Sequence, residues 1–153
     1  MDGRLAEGQP VDEREHGRQP PIRLVPTKHR ILVADDDTDM RALIVSVLRR
    51  VGYDVVEACS GMEAIEHIAP TVWTKCGGFE AIVSDVYMPD LTGLDLLAAL
   101  RCTRLETPVI LMTAFGDEEV HAEARSLGAT AVLAKPFDLD ELHAAVQKAM
   151  LSA

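Results

Sequence analysis

An α/β fold built on a doubly wound, five-stranded parallel sheet is what this sequence predicts, and two observations predict it. From residue 30 onward, apolar runs of strand length alternate five times with segments of helical periodicity, the signature of successive βα units. The runs are near-continuously apolar rather than alternating, as strands must be when helices cover both faces of their sheet.

The first unit pairs a strand over 30–35 with a helix over 38–51. Met40, Leu43, Ile44, Val47, Leu48 and Val51 recur there at helical spacing, and Gly52 supplies a left-handed stop. Asp37 and Asp39 are expected to cap the start of that helix, where negative charge is favoured. In the second unit a strand over 53–58 precedes a helix over 61–69, and Ser60 with Glu63 makes a capping-box pattern. Strands over 80–85 and 108–113 lead to helices over 93–101 and 117–127, the latter ended by Gly128. The fifth strand, 130–135, leads to a helix over 138–150 that Asp138 opens, with Glu141 three residues on and an apolar stripe of Leu139, Leu142, Val146 and Met150. The stretch 70–78, PTVWTKCGG, reads as an unusually long connection. Trp73, the only tryptophan, is expected to pack against the flanking helix rather than to face a partner.

Residues 1–29 hold four prolines, three glycines and few large apolar side chains, too little to offset the entropy of ordering them. They are expected to be a disordered extension, with residues 30–150 as one domain. The extension carries five acidic and five basic residues, so the net charge of −10 belongs to the remainder. So acidic a body argues against direct contact with nucleic acid, which needs basic footprints on phosphates. No apolar stretch reaches the roughly 20 residues that span a bilayer, and no signal-peptide core is present, so the expected location is the cytoplasm. Cys59, Cys76 and Cys102 are odd in number and far apart, and are expected to be buried, reduced thiols. Neither a GxxxxGK(S/T) phosphate loop nor a GxGxxG fingerprint occurs.

Chemistry concentrates at the ends of the apolar runs. Asp35 and Asp36 follow the run 31–34, Asp85 follows 81–84, Thr113 follows 109–112 and Lys135 follows 131–134. If those runs are parallel neighbours, the polar groups converge at one sheet edge, where open α/β folds place their sites. Three crowded carboxylates call for a hard divalent cation such as Mg2+, and a lysine beside them adds fixed positive charge, a set suited to a phosphoryl group.

The segments ILVADDDTDMR, IVSDVYMPDLTGLDLL, VILMTA and AVLAKPFD, in that order, resemble the receiver domain of two-component response regulators over residues 30–150. The resemblance implies a flavodoxin-like (βα)5 sheet of order 2-1-3-4-5. It implies Asp85 as phosphoacceptor, with Mg2+ held by Asp35, Asp36, Asp85 and the backbone carbonyl of Tyr87. Thr113 would donate to a phosphoryl oxygen, and Lys135 would pair first with Asp85 and then with the phosphate. The Lys135–Pro136 bond is expected to be cis, aiming the lysine inward, and Met88-Pro89 with Gly93 to shape the loop after the acceptor.

The implied donor is a histidine kinase or phosphotransfer protein, and the implied output is altered affinity for a downstream protein target, phosphorylation-dependent dimers included. The chain would be no enzyme beyond catalysing its own phosphorylation and dephosphorylation. Because it stops near the end of the fifth helix, it is expected to be a single-domain regulator without an output domain, or else a receiver cut from a longer protein. One position departs from the family: Val132 stands where a Tyr or Phe usually moves inward on phosphorylation. Tyr87 and Phe115 would border the path of the water that attacks the phosphoryl group. Two rival readings are a pseudo-receiver that is never phosphorylated, and a haloacid-dehalogenase-like phosphatase using Asp35 as nucleophile and Asp37 as acid/base. The second leaves the Asp85 segment without a role.

Overall fold

The computed structural model describes residues 29–74, 78–114 and 116–151. The expected extension before residue 29, Cys76 and the side chain of Phe115 lie outside the described residues. Five βα units follow one another: β1 (Arg30–Ala34), α1 (Thr38–Val51), β2 (Asp54–Ala58), α2 (Gly61–Trp73), β3 (Ala81–Asp85), α3 (Gly93–Cys102), β4 (Val109–Ala114), α4 (Glu118–Ser126), β5 (Ala131–Lys135) and α5 (Leu139–Leu151). All four strand pairings are parallel, and the sheet order is β2-β1-β3-β4-β5.

The apolar runs are continuous because alternate residues enter different layers. Ile31, Val33, Ala81, Val83, Ile110 and Met112 pack with Ile44, Val45 and Leu48 of α1 and with Leu142, Val146 and Ala149 of α5. Leu32, Ala34, Ile82, Val109 and Leu111 point the other way, against Ala64 and Ile68 of α2, Leu96, Leu97 and Leu100 of α3, and Ala124 of α4. The period of two along a strand thus meets two helical stripes, and the central strands find no solvent on either face. The direction in which successive strands are added across the sheet reverses between β1 and β3, which opens a crevice at their carboxyl ends.

Local signals behave as their chemistry requires. Asp37 caps α1, accepting from the amides of Asp39 and Met40, and Gly52 closes that helix at φ 113°. Asp39 adds charge to the first turn, while the Asp37 carboxylate takes two of its free amides. Ser60 accepts from the Glu63 amide, but the Glu63 carboxylate turns to the backbone and thiol of Cys59, so the expected box is half formed.

Three expectations are corrected. Helix α2 does not stop before Pro70 but runs on to Trp73. Pro70 lies on the exposed face of the helix, and Thr74 closes the turn by donating to the Pro70 carbonyl. The added turn carries Trp73 off the apolar stripe, leaving it 88% exposed rather than packed on the helix. Cys59 and Cys102 are exposed free thiols, not buried ones. The hydrogen bond to Glu63 holds the Cys59 thiol protonated, pushing its pKa up.

Candidate functional site

The crevice between β1, β3 and β4 collects the polar groups that the strand ends supply. Asp35 follows β1 and is 0% exposed; Asp85 ends β3 and is 8% exposed. Thr113 lies one residue before the end of β4, in register with Ala134, and is likewise buried. Lys135 ends β5 two strands away, and its side chain crosses to the crevice, with Nζ 3.3 Å from Asp85 Oδ1 and 3.7 Å from Asp35 Oδ2. The Lys135–Pro136 peptide is cis, as expected.

Asp35 is held at three points: its Oδ1 accepts from the Asp37 amide at 2.9 Å, its carbonyl accepts from Arg41 Nη1 at 2.7 Å, and its amide donates to the Ala58 carbonyl. Arg41 also pairs with Glu57 at 3.4 Å, tying α1 to β2 behind the site. The loop after Asp85, residues 86–92, returns by two backbone bonds, Val86 N–H to the Met112 carbonyl and Gly93 N–H to the Val86 carbonyl. Only glycine fits at 93, because a Cβ would lie 2.4 Å from the Asp85 carbonyl oxygen.

Charge in this crevice is unbalanced. One carboxylate oxygen from each of Asp35, Asp36 and Asp85 lies within 4.8 Å of the others. At such spacing two like charges repel by about 3–4 kcal/mol at an effective dielectric of 20. Burial is the main force pushing the Asp85 and Asp35 carboxyls above the ordinary 3.8, offset in part by Lys135 and, for Asp35, first by the Asp37 amide. Asp35 Oδ2 and Thr113 Oγ1 are buried and have no hydrogen-bond partner among the described residues. A buried polar atom without a partner costs on the order of 1–3 kcal/mol, so both atoms are poised for a ligand. Oxygen donors alone, gathered around an orphaned buried carboxylate oxygen, suit a hard divalent cation. The orphaned hydroxyl and the ammonium suit an anion seated on Asp85.

All the strand-end residues singled out in the sequence converge: Asp35, Asp36, Asp85, Thr113 and Lys135 share the crevice. Tyr87 lies in the loop after Asp85 beside them, its ring half exposed and its hydroxyl donating to the Asp117 carboxylate. Sequence reasoning did not single out Arg41, Asp90 or Asp117. Arg41 lies within the quoted first segment, one turn into the helix behind the acidic pair; Asp90 closes the MPD triplet. Nothing local marks Asp117 as a partner of a residue 30 positions earlier.

The sequence matches the response regulator receiver domain over residues 31–147. The chain belongs to that family. It is 32% identical over 119 residues to sporulation initiation phosphotransferase F of Bacillus subtilis, covering 78% of this chain and 91% of that protein. It is 35% identical over 120 residues to the transcriptional regulatory protein ZraR of Escherichia coli, again over 78% of this chain, but it spans only 26% of that longer relative. Among solved structures, the receiver domain of Francisella response regulator 1452 superposes with a TM-score of 0.73 at 33% identity, covering 82% of this chain and 98% of that one. The chemotaxis response regulator CheY4 of Vibrio cholerae superposes at 0.69 and 30% identity, covering 80% and 99%. The receiver domain is thus the phosphoacceptor module of two-component response regulators, and the five-stranded order seen here is that of its flavodoxin-like fold. Among the described residues, no helix is long and apolar enough to cross a membrane.

Proposed function

We propose that this receiver takes a phosphoryl group from a phosphohistidine of a histidine kinase or phosphotransfer protein onto Asp85 and signals through a downstream protein. One Asp85 carboxylate oxygen forms the new bond to phosphorus as the P–N bond of the donor breaks, and the leaving imidazole nitrogen keeps the electron pair. The observation that carries this reading is the buried Asp85 carboxylate, paired with Lys135 at 3.3 Å, with the unpartnered Thr113 hydroxyl near the end of the adjacent strand β4. Thr113 donates to a phosphoryl oxygen, and Lys135 moves its pairing from the carboxylate to the phosphate.

Asp35, Asp36, Asp85 and the backbone carbonyl of Tyr87 hold Mg2+ in this reading. The ion supplies positive charge that the crowded carboxylates lack. Residues 30–150 act as the receiver, with 1–29 as an extension outside it. The protein works in the cytoplasm, binds no nucleic acid directly and catalyses only its own phosphorylation and dephosphorylation; a phosphorylation-dependent dimer is one form its output can take. The phosphatase alternative is disfavoured by Asp37: its carboxylate accepts from two amides of α1 and is spent on capping rather than free for acid/base work.

Acetyl phosphate with Mg2+ should give one acid-stable, hydroxylamine-labile phosphoryl group per chain. Asp85→Asn should abolish it, Asp37→Asn should retain most of it, and EDTA should prevent it. Label that survives in Asp85→Asn refutes the acceptor. No label on the parent protein supports the pseudo-receiver instead, and continuous turnover lost in Asp35→Asn supports the phosphatase.

A further inference from the structure

The peptide that joins Asp35 to Asp36 lies between two of the three carboxylates in the crevice, and its plane is set from behind. Arg41, six positions on and within α1, donates from Nη1 to the Asp35 carbonyl at 2.7 Å. Because a peptide unit is planar, holding that carbonyl also holds the direction in which the chain leaves Asp35 and enters Asp36. Asp36 is exposed and lies outside any strand or helix, so no ladder places it. Asp35 has further restraints, but backbone amides make them: its own N–H donates to the Ala58 carbonyl at 3.1 Å, and its Oδ1 accepts from the Asp37 amide. Among the described residues, Arg41 is the side chain that grips the Asp35 backbone.

Arg41 is itself aimed. Its side chain is 15% exposed, and its Nε lies 3.4 Å from Glu57 Oε1 on β2. A guanidinium is a rigid planar fork, so a carboxylate at Nε orients Nη1. Glu57 pairs in register with Val33, two positions before Asp35, which places its carboxylate behind the turn rather than among the three gathered in the crevice.

We propose that Arg41, aimed by Glu57, is a positioning residue for the acidic pair: it holds the Asp35–Asp36 peptide so that both carboxylates stay close enough to Asp85 for one divalent cation to take all three. This rests on Asp35 and Asp36 binding the cation, and adds what keeps them together before it arrives. Three carboxylate oxygens within 4.8 Å of one another repel, and an unrestrained turn would let them spread. Arg41 confines the pair through a carbonyl, so it takes none of the carboxylate oxygens that the cation needs.

The test titrates Mg2+ into the full chain, follows the amide NMR shifts at 35, 36 and 85, and measures hydrogen exchange in the metal-free protein. Arg41→Ala should weaken Mg2+ binding about 10–100-fold, the usual loss when a group that orients a ligand is removed. Arg41→Lys should lose as much, because an ammonium keeps the charge but not the fork. Glu57→Ala should weaken binding in the same sense, while Glu57→Gln, which leaves an oxygen for Arg41 Nε, should keep most of the affinity. Arg49→Ala controls for general loosening: Arg49 also ties α1 to β2, donating to the Val55 carbonyl at 3.1 Å, and its removal should leave Mg2+ affinity unchanged. If Arg41→Ala fails to fold, Arg41→Lys and Glu57→Ala carry the test.

Parent-like affinity in Arg41→Lys would make charge alone sufficient and overturn the proposal, as would equal losses in Arg41→Lys and Arg49→Ala. Parent-like affinity in Glu57→Ala, or equal losses in Glu57→Ala and Glu57→Gln, overturns the aiming role of Glu57. No Mg2+ shift at 35, 36 or 85 in the parent would instead refute the cation site. Exchange at the Asp35 amide of metal-free Arg41→Lys, expected several-fold faster than in the parent, would still decide whether Arg41 holds the peptide.

Discussion

Helices α1 and α4 leave the same edge of the sheet from the two strands that flank β3, and each has an aspartate at its N-cap. Asp37 spends its carboxylate on its own helix, bonding two amides; Asp117 spends its carboxylate on Tyr87, across the mouth of the site. The α1 helix has 14 residues, buries Ile44, Val45 and Leu48, and is further pinned by Arg41 to the carbonyl of Asp35. The α4 helix has nine and buries only Ala124 among those described. The same residue at the same position of two helices thus takes different partners: one carboxylate fastens its own helix beside the acidic pair, the other ties the start of α4 to the loop after Asp85. Rigidity is needed where charges must be confined, and a low-stability element is what a signal can displace.

The largest break in the comparison is expected in the core. Leu48→Ala should cost about 2–5 kcal/mol in urea unfolding, because it empties a fully buried site on α1. On α4 the partly buried Val120→Ala should cost only about 1 kcal/mol. Equal losses would mean that α4 is as firmly anchored as α1.

The crevice should reveal its cost next. With their pKa values raised by burial, Asp35 and Asp85 bind protons in the folded protein at pH values where the unfolded chain has already released them. That contribution favours folding at acid pH and is lost as pH rises from 3.8 through the raised values. In metal-free protein at neutral pH, Asp85→Asn should therefore stabilise by about 1 kcal/mol, or roughly 3–6 °C in Tm. The gain should shrink towards pH 4 and when Mg2+ is added to the parent. Thermal melts across that range decide it, and a destabilised variant would show that the ion pair with Lys135 outweighs the burial.

Asp37→Ala should cost about 1 kcal/mol, the usual worth of an N-cap. The smallest effect is expected at Asp117→Ala, within about 0.5 kcal/mol of the parent, since no cap bond is lost and the tie to Tyr87 is solvent-exposed. A cost at Asp117 matching that at Asp37 would mean that the two aspartates do the same work after all.

By itself the sequence determined which segments are strands and helices, and that Asp35, Asp36, Asp85, Thr113 and Lys135 end strands. Those signals are local: a period of two or 3.6, a cap residue and a glycine stop are read within a few neighbours. Val132 was legible as a departure in the same way, and its partly buried place among the α2–α4 layer accords with a strand residue of alternate facing. Only the tertiary structure decided which polar atoms are left without partners, that α2 runs through Pro70 and exposes Trp73, and that the thiols of Cys59 and Cys102 face solvent. It alone decided that Asp90 caps a helix 28 positions earlier in the chain and that Asp117 reaches back to Tyr87. Burial and hydrogen-bond partnership are set by elements far apart in the chain, and no short-range pattern encodes what a side chain meets once the sheet has closed its order.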